Sequence, residues 1–362
     1  MRRAGAADVK RRGVGASIAV ASARGAGAPV RGLSKPGRFA ISVGIVIAGT
    51  LLGALALTQL VMGRIPFGEV GALNDLRIAT VHCLLVAYLS AAHLYLSATA
   101  RRAVLALRPV LDLDGPSFDR LLEATGTIPR AHGALMGIIG LGVAYVGPYL
   151  SGSVPAQPWH PAEWSPEVAW HRVLGPVAGV WIGWFGYVVV RESSRLSSLA
   201  ATLAPLDLMD LRGLAQFTRQ GLNHALLTAG LLAVFGLFVV DQGFTPIIAL
   251  MTPLMFALAL ASLLLPLRGV RDRISNAKSA ELAWIDQSIR AHADTLRASQ
   301  SGPAAGSLAD LIAYRHLIER VREWPFDQSA LARIALYLLI PIGSWLAGGL
   351  VGAVVERWLF GD

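Results

Sequence analysis

The chain is poor in what keeps a soluble protein in water. Only 15% of its 362 residues are charged while 54% are hydrophobic, and the mean hydropathy is +0.55. A soluble core of that composition would leave broad apolar surfaces uncovered, which excludes an ordinary water-soluble domain. Lysine is almost missing, with Lys10, Lys35 and Lys278 alone, so the net charge of +9 rests on arginine. The single cysteine, Cys83, rules out an intramolecular disulfide. No Gly-x-Ser-x-Gly, His-Glu-x-x-His, phosphate-loop or dinucleotide pattern occurs, which leaves enzyme chemistry without an anchor.

What the chain does have is apolar length. Seven runs, at 39–61, 78–100, 131–150, 173–190, 222–240, 246–265 and 331–355, reach or approach the length a helix needs to cross about 30 Å of hydrocarbon at about 1.5 Å per residue. The expected fold is therefore all-α, a polytopic membrane helix bundle of about seven transmembrane helices. Of the 32 basic residues, only Arg64, Arg77, Arg172 and Arg357 fall on one side of this arrangement. The excess on the other side puts the N-terminus in the cytoplasm and the C-terminus outside. Positive charge is thus a topology signal, and nucleic acid is not an expected partner; the lipid bilayer is. Acidic residues are missing from the interior of the runs, Asp241 and Glu356 standing only at ends, so the carboxylate that ion-coupled pumps use has no obvious counterpart.

The organisation expected from this pattern is a disordered basic cytoplasmic tail at 1–38, six transmembrane helices at 39–267, a cytoplasmic helical hairpin at 268–323, and an elbow with the final transmembrane helix at 324–362. Glycines at four-residue spacing, Gly49/Gly53, Gly133/Gly137, Gly175/Gly179/Gly183 and Gly348/Gly352, supply the close backbone approach that packs helices in lipid and favours a homo-oligomer. Pro148, Pro176, Pro253 and Pro341 are expected to kink or end helices. Asp114 or Ser117 caps a short helix that ends near Ala124. The hairpin carries one apolar stripe at Ile274, Ala277, Leu282, Ile285 and Ile289 and another at Leu308, Leu311, Ile312, Tyr314 and Leu317; it either packs on its own bundle or offers a surface to a cytoplasmic protein partner. At the elbow, Trp324, Pro325, Phe326 and Asp327 form a corner in which proline interrupts the helix and Asp327 caps the next one.

His82 and His93 are the ionisable side chains placed well inside a run, where a polar group is costly and tends to have a reason. Eleven residues apart, they share a helix face about 16 Å apart along the axis. With Thr80, Ser90 and Asn223 they are the candidate lining of a polar cavity for ions or small solutes. The same histidines, paired with His171 at one level and with His132 or His224 at the other, would also suit two bis-histidine haems; no cofactor is expected as the first reading. In the external segment, His160, Glu163, Glu167 and His171 are weak candidate metal ligands, set against an aromatic belt of Trp159, Trp164 and Trp170.

Two stretches, Leu206-Asp-Leu-Met-Asp-Leu-Arg-Gly-Leu-Ala-Gln-Phe-Thr-Arg-Gln-Gly-Leu222 and Glu323-Trp-Pro-Phe-Asp327 with Ile340-Pro341 and Ser344-Trp345, resemble stretches of uncharacterised prokaryotic multi-pass membrane proteins over about the C-terminal half. The resemblance implies a prokaryotic cytoplasmic membrane and brings no activity or site residues. A transporter or channel is the leading functional expectation, and a scaffold or signalling protein acting through the hairpin is the alternative.

Overall fold

A computed structural model of the chain describes residues 35–61, 70–150, 166–238, 246–298 and 304–324, together with Ala332, Arg333, Leu336, Leu339 and Gly343, which are helical and exposed. Over these residues the protein is all-helical, with α1 (Lys35–Val61), α2 (Val70–Leu107), α3 (Gly115–Ala124), α4 (Arg130–Leu150), α5 (Pro166–Leu199), α6 (Ala215–Gly236), α7 (Pro246–Ala298) and α8 (Ala304–Glu319). Four stretches, Lys35–Val61, Arg77–Val110, Arg172–Thr202 and Ala249–Thr295, are long and apolar enough to cross a membrane. The shorter α4 and α6 pack among them. Apart from Ala332, Arg333, Leu336, Leu339 and Gly343, the seventh expected span lies outside the described residues, as do the tail before Lys35 and Pro325, Phe326 and Asp327.

Two expected boundaries move. The tail does not reach residue 38, because α1 already begins at Lys35. The sixth span and the first hairpin helix are one rod: α7 passes through Pro253 and Pro266 without a break. A proline removes one backbone bond and its ring crowds the turn before it, but neighbouring helices hold the strained turn in place. The change at 267–268 is one of composition and not of backbone. α3 behaves as its sequence dictates, with Asp114 as the cap accepting from the Ser117 amide at 3.2 Å.

Side-chain contacts register the long helices against one another. Tyr88 donates to the Leu227 carbonyl at 2.6 Å and His82 meets Phe238 edge-on at 5.1 Å, so α2 and α6 are antiparallel. His82 lies beside Gly175 and His93 beside Trp181, so α2 and α5 are parallel. Trp184 donates to the Gly133 carbonyl at 2.8 Å, and Gly179 lies against Gly140, so α4 and α5 are antiparallel. Gly186 faces Leu258 and Gly269 faces Ser197, which makes α5 and α7 parallel. Gly44 lies on Ala91 and Leu55 clusters with Ala79 and Cys83, so α1 opposes α2. Helices α1, α4 and α6 therefore run one way, and α2, α5 and α7 the other.

At the α2 C-terminal end of this bundle, a cap of conventional hydrophobic packing joins Leu107, Phe118, Leu199, Leu214, Phe217, Ile274, Ile285 and Ile318. Two backbone bonds, Asp112 N–H to Thr202 O at 2.8 Å and Ala204 N–H to Val110 O at 3.0 Å, tie its connecting segments together. The hairpin belongs to this cap. Its α7 stripe residues Ile274 and Ile285 are fully buried, and Ala277, Leu282, Ile289 and Tyr314 pack partly against the same cluster; on α8 the buried residue is Ile318, while Ile312 and Leu317 of the expected stripe are exposed. Tyr314 to Glu281 at 3.0 Å and Arg315 to Asp286 at 2.9 Å close α8 onto α7.

Candidate functional site

Three neighbouring groups of interior polar residues lie where α2, α5, α6 and α7 meet. The first is a closed network. Ser193 Oγ lies 2.9 Å from His224 Nδ1 and 3.3 Å from the Ser262 carbonyl, and Gln220 Nε2 lies 3.0 Å from His224 Nε2. Thr228 donates to the His224 carbonyl at 2.9 Å. One proton arrangement satisfies every member: Gln220 donates to His224 Nε2, His224 Nδ1–H donates to Ser193, and Ser193 donates to Ser262 O. His224, Ser193, Thr228 and Ser262 are completely buried, and a neutral network with all partners present is stable in such surroundings. It bolts three helices together by hydrogen bonds.

The second group is ionic. Glu192 is buried, and one guanidinium nitrogen of Arg195 donates to both its oxygens at 2.8 and 2.9 Å. Its Oε1 also accepts from the Gly126 amide at 3.2 Å. Gly126 has φ +75°, and a side chain there would press on the Ser97 carbonyl at 2.9 Å; only glycine suits both the left-handed turn and the close approach. This corrects one sequence expectation. With the fourth run ending at residue 190, Glu192 counts as outside it; α5 continues to Leu199, which carries a carboxylate into the helix and buries it.

The third group is incomplete. His93 Nδ1 and Ser97 Oγ, one turn apart on α2, are buried and have no hydrogen-bond partner. His93 rests edge-on against Trp181 at 5.7 Å, and Ser97 adjoins Gly126. The orphaned pair thus lies beside the turn that binds Glu192.

The five expected cavity residues do not all converge. His82 bonds its own helix at Ile78 O, 2.9 Å away, and packs on Phe238. Ser90 is buried and donates to Val86 O at 2.7 Å, again within its own helix. Thr80 and Asn223 are half-buried. His93 alone of the five belongs to the groups described above. Of the residues drawn into the inner haem pair, His224 turns both ring nitrogens to Ser193 and Gln220, and His132 stacks on Tyr187 at 5.6 Å. Of the four candidate metal ligands, His160 and Glu163 lie outside the described residues, and the Glu167 and His171 side chains are likewise not described. Among the described residues no three metal-binding side chains gather. At the elbow, Trp324 is exposed and lies under the Arg271 guanidinium at 5.1 Å.

Sequence reasoning missed Ser97, Glu192, Ser193, Gln220 and Ser262. Gln220 and His224 are one turn apart and would have signalled a shared polar face; Ser262 sits in an unbroken apolar run and gave no such sign. Outside the bundle, Met209, Asp210, Leu211, Arg212 and Ala215 line an open surface hollow of about 440 Å³ in the stretch that carries the resemblance. There Arg212 bonds Asp210 and holds its carboxyl down at about 2. In the hairpin, burial first and the Glu281 bond second raise the Tyr314 phenol. Compared with family models, with curated proteins and with solved structures, the chain matches none.

Proposed function

We propose that the chain is a multi-pass protein of a prokaryotic cytoplasmic membrane that moves protons or small ions through the inner half of its helix bundle. The alternation of helix directions supports repeated crossing. The registers also place Lys35, Arg38, Arg101, Arg102, Arg130, Arg191, Arg219 and Arg268 at one end of the bundle, within about two turns of a common level. All but Arg191 are exposed. From Arg77 to Arg101, α2 rises about 36 Å at about 1.5 Å per residue, close to a bilayer core. Between these levels the outer surface exposes Ile45, Val46, Leu57, Ile138 and Leu254. A basic ring at one end and aliphatic walls beside it match an inner membrane boundary, with the N-terminus inside.

The observation that carries the transport reading is the orphaned pair. A buried polar atom without a partner costs about 1–3 kcal/mol, and two such atoms persist one turn apart at His93 and Ser97, beside the turn that binds Glu192. Water or a passing ion supplies the missing bonds, and an imidazole can both accept and donate a proton. The scaffold alternative rests on a free apolar stripe; the α7 stripe packs into the protein's own cap, which leaves that reading only the exposed Ile312 and Leu317 of α8. The test is purified protein in liposomes carrying a pH-sensitive dye and an imposed potassium diffusion potential. Proton entry faster than in empty liposomes, abolished by His93→Leu, is the expected result; flux equal to empty liposomes for protons, sodium and potassium overturns the proposal.

A further inference from the structure

We propose that the inner ends of α4 and α5 form a binding site for the phosphate headgroup of an anionic phospholipid, with Arg130 and Arg191 as the binding cations. The proposal rests on the membrane-spanning reading above and not on transport. Arg191 is held in place from two sides: a guanidinium nitrogen donates to the Thr127 carbonyl at 2.6 Å, and the group lies 5.7 Å from the centre of the Tyr187 ring. That ring also stacks on His132 at 5.6 Å and 20°. Trp184, one turn before Tyr187, is fixed by its bond to Gly133. Arg130, three residues past Thr127, is exposed and has no acidic partner among the described residues. The carboxylate next to Arg191 in the chain, Glu192, hydrogen-bonds Arg195 and the Gly126 amide and reaches Arg191 only through space, with no hydrogen bond to it among the described contacts.

A preorganised guanidinium with donors to spare, a second cation and two amphipathic rings are the groups that bind a phosphate diester at an interface. The ligand is a lipid and not a soluble anion because of what adjoins the cations. Leu135, Ile138 and Ile139 on α4 and Val190 on α5 are all exposed, which continues the charged end as an aliphatic wall of the kind acyl chains cover. The other exposed arginines of the ring, Arg38, Arg101, Arg102, Arg219 and Arg268, have no aromatic ring stacked against them among the described contacts.

The experiment is native mass spectrometry of the full-length protein in detergent, with phosphatidylglycerol, phosphatidylcholine or inorganic phosphate added. Phosphatidylglycerol is expected to bind and phosphatidylcholine to bind weakly. Arg130→Gln with Arg191→Gln is expected to weaken phosphatidylglycerol binding about tenfold or more, the loss expected for charge-assisted bonds, while Arg102→Gln leaves it unchanged. Arg130→Gln alone, at an exposed position, is expected to weaken binding several-fold and keeps the test open if the double variant misfolds. An equal loss in Arg102→Gln means diffuse attraction by the whole ring and overturns the site. So does binding by the Arg130→Gln variant that equals the native protein's, and so does displacement of the lipid by millimolar phosphate. Because no flux is measured, failure here leaves the transport reading standing, and the converse also holds.

Discussion

The α4–α5 seam of the bundle and the cap are packed differently, although elsewhere the bundle, like the cap, buries large side chains such as Leu89, Phe185 and Leu232. In the bundle, α4 and α5 meet through glycines: a methyl group on Gly179 would overlap the Gly140 carbonyl, and one on Gly183 the Met136 carbonyl. In the cap, Leu107, Leu199, Phe217, Ile274 and Ile318 are nearly or fully buried against one another. On the membrane-spanning reading proposed above, the difference follows from the solvent. Lipid gives no hydrophobic reward for bringing two helices together, so close backbone approach and interior hydrogen bonds must hold them. Water does give that reward, about 25 cal/mol for each Å² of apolar surface removed, so large side chains serve.

The largest effect is expected in the cap. Phe217 is fully buried, and Phe217→Ala removes its contacts and leaves a cavity, at a cost of about 3–5 kcal/mol. Chemical unfolding followed by tryptophan fluorescence, with Trp284 and Trp324 as reporters on the cap side, reads the loss. If the midpoint is unchanged, the cap is not the hydrophobic unit described here.

Next in size is a substitution that separates touching backbones. Gly179→Val forces α4 from α5 and is expected to cost about 1–3 kcal/mol by overpacking, read as a lower melting temperature in detergent. Gly49→Val is the matched control: nothing lies within 4 Å of the position a side chain would take, so the melting temperature should hold. Equal losses at the two positions would mean that helix propensity, and not contact, sets the outcome.

That contrast also marks what the sequence discloses. The four-residue spacing of Gly175, Gly179 and Gly183 was legible as a packing ridge, and Gly179 and Gly183 do face α4. Gly49 and Gly53 show the same spacing and face open space, because spacing fixes a helix face without saying which neighbour covers it. Asp114 was legible as a cap since capping is local. His82 and His93 were legible as unusual, but their partners come from other helices: Phe238 and Trp181 are far away in the chain and pair with them only through the α2–α6 and α2–α5 registers. Glu192 was misplaced by two residues of helix end, and with it the only buried carboxylate among the described residues.

An effect of the same order is expected from the interior network, which stands for hydrogen bonding as Gly179 stands for contact. Ser193→Ala leaves His224 Nδ1 without its partner in a fully buried position, a cost of about 1–3 kcal/mol. Ser193→Cys, similar in shape with a weak donor, should recover part of it. Thermal unfolding of the two variants side by side separates a missing bond from a missing volume. If alanine equals the native protein, the network contributes no net stability and the bundle rests on backbone contact alone.

The smallest effect belongs to the exposed ion pair on the cap surface. Arg212 donates to both oxygens of Asp210, at 2.8 and 2.7 Å, and the bond first, then the neighbouring charge, lowers the Asp210 carboxyl from 3.8 to about 2. A carboxyl whose folded value is depressed stabilises the fold above its unfolded value and loses that contribution as the pH falls through the folded one. Here the window runs from about 3.8 down to about 2. The Arg212 side chain is 91% exposed, so water and salt screen the pair and little stability is at stake. Asp210→Asn should therefore leave the melting temperature unchanged at pH 7 in moderate salt, with at most a slight narrowing of the difference between pH 5 and pH 2.5. A clear loss at pH 7 would show that the 206–214 segment is held by charge, and that the cap does not rest on burial alone.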